Sequence, residues 1–176
     1  MVRSWVIAGG IVLAALCAAP VFADAPGVGG SNNCSNVGTW QGLGDTGFTW
    51  MNIITPGANA TVGQLDLEWV LVDPTLFGFF PDAVRLTNAI GVWEKVNRHT
   101  YVVTWVAWGF DMNGVPVYVG RLSGTDTMLD CDHIDVDYVL EVFLPGQDMD
   151  TDPPIFCANG HASETRMPLV QAICEE

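Results

Sequence analysis

The chain has 176 residues, nearly half of them hydrophobic, and a formal net charge of −14 with only six Lys and Arg. A surface this acidic repels phosphate backbones and anionic lipid headgroups, so nucleic acid and membrane surfaces are excluded as expected partners. The balance itself reads as a solvated acidic exterior.

Met1-Val2-Arg3, the apolar run Trp5 to Ala19 and the small-residue ending Val21-Phe22-Ala23 have the form of a secretory signal peptide. The apolar run is too short to span a bilayer, and removal after Ala23 is expected. Leu16 and Ala14 do not fit the positions before a lipidated Cys17, so release rather than anchoring is the expectation. Beyond Ala23 the twenty acidic residues face five basic ones, a balance of −15. The expected division is 1–23 signal peptide, 24–37 irregular Gly/Ser/Asn-rich leader pinned only by Cys34, and 38–176 one domain able to bury a core. Secretion, or export to a periplasm, places the four remaining cysteines in an oxidising compartment, which predicts two disulfides. Of the three pairings, Cys34 with Cys174 and Cys131 with Cys157 is favoured, because a closed barrel brings its ends together. No CxxC or clustered histidines point to zinc.

The first strand is predicted to begin at Gly38-Thr39-Trp40. Phe48 to Ile54 puts Phe48, Trp50, Asn52 and Ile54 on one face. Gln64 to Val72 alternates, with Leu65, Leu67, Trp69 and Leu71 opposite Gln64, Asp66 and Glu68, the period of a sheet with one wet side. Asp73 to Asp82 is a loop carrying Leu76, Phe77, Phe79 and Phe80; it either folds back to plug one end of the core or forms a lid. Gly91 to Gly124 reads as three antiparallel strands, broken at Asn97-Arg98 and at Asp111-Met112-Asn113-Gly114, where residues tolerant of left-handed backbone close hairpins.

In the middle strand Tyr101, Val103, Trp105 and Ala107 share one face, and Val102, Val106, Trp108 and Phe110 the other. Both faces are apolar, so the outer one calls for a cover. Asp130 to Leu144 alternates again, with Ile134, Val136, Tyr138, Leu140, Val142 and Leu144 on one side. A last strand runs from Ile155 towards Arg166. No stretch sustains a helical period. Short, turn-punctuated strands predict an all-β fold, and the meander of hairpins favours an antiparallel barrel over a sandwich.

Gly38-x-Trp40 resembles the opening signature of lipocalins and related calycin barrels. Gly91-Val-Trp93, Phe110-Asp-x-x-Gly114, Val119-Gly-Arg-Leu-x-Gly124 and Thr165-Arg166 extend the resemblance to a group of secreted bacterial lipocalin-like proteins. It implies a single lipocalin-like barrel. Thr39-Trp40-Gln41-Gly42 also resembles the start of nitrobindin-type haem barrels, but no downstream histidine motif follows, and no cofactor is expected.

Six tryptophans and three tyrosines follow the signal, and an aromatic-lined interior would hold a flat or apolar molecule. Trp50, Trp69, Tyr101, Trp105 and Tyr138 are the expected walls, with Phe77 and Phe79 near the mouth. The predicted function is binding of a small hydrophobic molecule. The alternatives are a cyclase or isomerase on an allene-oxide-cyclase or dirigent-like barrel, and a filled barrel that makes a homodimer or other interaction. For an enzyme, His99 at the mouth with Tyr101 and Glu94 would be the acid/base group; His133 and His161 lie on other segments. Asp148, Asp150 and Asp152 form D-x-D-x-D, but Pro153 replaces the turn glycine and no closing glutamate follows, so a charged hairpin tip is expected rather than a metal site.

Overall fold

A computed structural model describes residues 34–59 and 61–168. Nine strands follow one another: β1 Gly38–Gly44, β2 Thr49–Pro56, β3 Val62–Leu71, β4 Arg85–Leu86, β5 Ala89–Lys95, β6 Thr100–Phe110, β7 Pro116–Met128, β8 His133–Phe143 and β9 Phe156–Arg166. Every pairing is antiparallel. The two-residue β4 continues the line of β5 along β6. The other eight close into a barrel, because β1 pairs with β9 and β6 with β7. Closure pairs β6 along both edges, with β5 and β4 on one side and β7 on the other, which answers the aggregation hazard of so long a strand.

The predicted hairpins lie where Asn, Asp and Gly placed them. At the β6–β7 turn Asp111 accepts from the backbone N–H of Asn113 and Val115, and Gly114 takes φ 77°. The alternation of β6 holds along its whole length, with Tyr101, Val103, Trp105 and Ala107 buried inside. The expected inward stripe of β3 ends early. Trp69 opposes Trp50, but a register shift between Thr49 and Trp50 follows, and Leu71 is 65% exposed. Leu144 lies past the end of β8 and is also exposed.

The strands run between two ends. At one, the closed end, Trp40, Ile54, Trp93, Tyr101, Met128 and Ile134 pack together. At the other, the 73–83 loop folds inward as a plug, burying Leu76 and Ala83 against Tyr118 and Val142. Tyr118 Oη fixes the loop by donating to the carbonyl of Pro74 at 2.8 Å. Leu76, Phe77 and Gly78 carry consecutive positive φ values of 48°, 60° and 84°. That backbone is costly for two bulky residues and is held by packing and by Asp73, which accepts from Thr75 and Phe77.

Two expectations are corrected. Cys34 pairs with Cys131, not Cys174, and Cys157 is disulfide-bonded but not to Cys131; Cys174 lies outside the described residues. The bridge ties the leader to the β7–β8 turn rather than one end of the barrel to the other. Nor is the leader pinned only by Cys34. Trp40 Nε1 donates to the carbonyl of Asn36 at 2.7 Å, and Arg166 donates to the carbonyls of Ser35, Val37 and Cys131 while lying 4.2 Å from the Trp40 ring. Residues 34–37 are irregular yet firmly docked across the closed end. The signal peptide expected over 1–23 lies outside the described residues.

Candidate functional site

The barrel interior is apolar at one level and polar at another, and the division follows from which inward residues are aromatic. Trp50 of β2, Trp69 of β3, Trp105 of β6 and Tyr138 of β8 reach inward at mid-height and above. Two glycines make room for them. A Cβ on Gly42 would sit 2.0 Å from the Trp50 ring, and one on Gly160 would sit 2.2 Å from that of Tyr138. Each ring therefore lies flat across a neighbouring strand, where any side chain would displace it.

Above these rings lies a cavity offering about 60 Å³ to the centre of a water molecule, walled also by Leu67, Leu86 and Leu122 and roofed by Leu76. Beside the roughly 150 Å³ of a cavity that takes benzene, the space suits a small apolar group. Its lining is almost wholly carbon. Trp105 Nε1 is a buried donor with no protein partner.

Beneath Trp50 the buried side chains turn polar. Glu164 of β9 is 1% exposed and Asp126 of β7 is 0% exposed. Trp50 Nε1 donates to Glu164 Oε1 at 2.7 Å, and Asn52 Nδ2 donates to the same oxygen at 3.2 Å. Glu164 Oε2, both carboxyl oxygens of Asp126 and Asn52 Oδ1 have no protein partner, nor has Asn36 Nδ2. Burial, reinforced by the neighbouring Glu164, pushes the Asp126 carboxyl well above the usual carboxylate range. Burial raises Glu164 too, against the opposing hydrogen bonds from Trp50 and Asn52. Tyr101, the register partner of Asp126, is raised chiefly by burial. Two acids that resist ionisation thus sit in one water-poor chamber.

Of the expected walls, Trp50, Trp69, Trp105 and Tyr138 come together around the cavity. Tyr101 does not; it is buried at the closed end, in edge contact with Trp93. Phe77 and Phe79 are mostly exposed, Phe77 stacked on Phe48 and Phe79 tilted against Phe156. Their loop neighbour Leu76 is the one that enters. His99, Tyr101 and Glu94 form no group at a mouth. His99 precedes β6 at the closed end, where its carbonyl accepts from Met128, and Glu94 is exposed on the outer wall. Asp148 and Asp152 turn back on their own hairpin, Asp148 accepting from the Asp150 N–H and Asp152 from the Asp148 N–H, while Asp150 pairs with Arg121.

The carboxyl chamber escaped the reading of the sequence, although a signal was there. Extending the inward series of β7 from Leu122 through Gly124 reaches Asp126, and that of β9 from Ala162 reaches Glu164.

Outside, the β3–β5–β6 wall bears Ile90 and Val92, each 60% exposed, beside Val106 and Trp108 in a broad shallow groove.

No family model matches the chain, and no curated protein matches it. Among solved structures the chain is similar to EF1p2_mFAP2b bound to DFHBI, at 12% identity over 74% of this chain and 93% of that one, with a TM-score of 0.48. The chain's own strand pairings close the barrel.

Proposed function

We propose that the protein is a secreted or periplasmic lipocalin-like barrel, released from a signal peptide spanning 1–23, that binds one small hydrophobic molecule inside. The observation that carries this reading is the carbon-walled cavity framed by Trp50, Trp69, Trp105 and Tyr138. Apolar cavities with rigid aromatic walls bind through burial, and each buried methylene of a ligand contributes about 0.8 kcal/mol. The Cys34–Cys131 bridge is compatible with an oxidising compartment. A cyclase or isomerase working in the same cavity is the second reading, favoured by one observation: Glu164 lies directly behind the Trp50 wall, where catalysis would want a polar group.

The test is titration with 4-phenyl-1-butanol, followed through the indole N–H signals in a ¹H–¹⁵N spectrum. Trp50, Trp69 and Trp105 should shift together and saturate, while Trp40, Trp93 and Trp108 stay in place. Gly120 lines the cavity, and a Cβ there would meet only ordinary contacts, the nearest at 3.7 Å. Gly120→Val should therefore fold and fill the space, weakening binding at least about tenfold. Absence of saturable shifts, or equal binding by Gly120→Val, would overturn the reading.

A further inference from the structure

The chamber beneath Trp50 presents acceptors far in excess of donors. Asp126, Glu164 Oε2 and Asn52 Oδ1 all lack a protein partner, and all three side chains are at most 1% exposed. Leaving such atoms unpaired costs on the order of 1–3 kcal/mol each, more for charged groups. Asn52 adds an observation independent of the acids. Its amide nitrogen is bound to Glu164, which fixes the head of the side chain beside the carboxyl while its oxygen stays open.

The chamber also adjoins the cavity. Trp50 and Val136 line the cavity; Trp50 Nε1 touches Glu164, and Val136 is the register partner of Asp126. A molecule seated in the cavity thus ends within one side chain of the acids.

We propose that Asp126, Glu164 and Asn52 form a cation subsite for the protonated nitrogen of a small amine whose apolar body fills the cavity above. The inference rests on the cavity-binding reading and names its ligand class. An alkylammonium carries three donors, matching three acceptor side chains, and its charge offsets the burial of two carboxylates. A calcium ion would ask for six to eight oxygens, and the carbon walls above supply none.

Binding the cation requires the carboxyls to ionise, so amine uptake expels protons and strengthens as pH rises. The groups beside the acids are Tyr101 from β6, neutral Trp50 and Asn52 from β2, and Ile134 and Val136 from β8. Arg166 lies over Trp40 and Lys95 over the Tyr101 ring.

The test compares 4-phenylbutylamine with 4-phenyl-1-butanol, the same body with a neutral head, by calorimetry at about pH 6 and about pH 8.5. The amine should bind at least about tenfold more tightly than the alcohol at the higher pH, lose that advantage at the lower, and show an observed enthalpy that varies linearly with buffer ionisation enthalpy, the slope giving the protons released. Asp126→Asn, which touches no residue of the cavity wall by hydrogen bond, should abolish the preference while leaving alcohol binding intact, which also certifies its fold. If the alcohol binds and the amine gains nothing, the subsite is overturned and the cavity reading stands; if neither binds, both fall. Stabilisation by calcium chloride in place of the amine would likewise overturn it.

Discussion

Trp50 and Glu164 are 114 residues apart in the chain, yet the indole Nε1 donates to the carboxyl Oε1 at 2.7 Å. The bond crosses from β2 past β1 to β9, where the first and last strands close the barrel. It marks the boundary between the apolar cavity and the two buried acids.

The acid pair should give the fold an unusual dependence on pH. In the unfolded chain both carboxyls titrate in the ordinary range, whereas in the barrel burial holds their protons on to higher pH. Their contribution to stability is complete below the ordinary carboxylate pKa and is lost as pH rises through the raised values. Hydrogen-bonded surface carboxyls such as the partly buried Asp73, lowered first by the Thr75 hydroxyl, act oppositely, and their contribution is lost on acidification. Urea midpoints measured from about pH 5 to about pH 8 should therefore fall for the parent and fall less for Asp126→Asn combined with Glu164→Gln. Parallel curves for the two proteins would contradict the assignment.

The Cys34–Cys131 bridge closes a loop of sequence separation 97. In the chain-entropy description, a loop of that length is worth about 4–5 kcal/mol. Replacing both cysteines with alanine should lower the unfolding free energy by that order, and peptide mapping without reduction should recover the two segments as one linked species. A peptide joining Cys34 to Cys174 would contradict the structure.

Arg166 gathers three carbonyls and one indole face at the closed end. Its planar fork satisfies Ser35, Val37 and Cys131 at once, which a lysine ammonium on a flexible stem cannot reproduce. Arg166→Lys should cost about 2–3 kcal/mol in denaturant unfolding, although it preserves charge. A loss within about 0.5 kcal/mol, the range of an ordinary surface substitution, would mean that the disulfide and the Trp40–Asn36 bond hold the leader without Arg166.

The sequence by itself determined the strands and their facing. Tyr101, Val103, Trp105 and Ala107 were legible as one inward row because a pleated strand alternates with period two, and Asp111 to Gly114 as a hairpin because few residues tolerate its backbone. Four of the expected aromatic walls met around one cavity for the same reason. Tertiary structure alone decided what depends on height and closure. Alternation tells that Tyr101 points inward, not that it lies at the closed end below the cavity, and it could not tell which turn Cys34 would reach. It also carried Asp126 and Glu164 inward on separate strands, where only barrel closure and the stagger of β7, β8 and β9 bring two acids to one level. Local chain geometry sets which way a side chain points; which distant residue it then meets depends on register summed around the whole barrel.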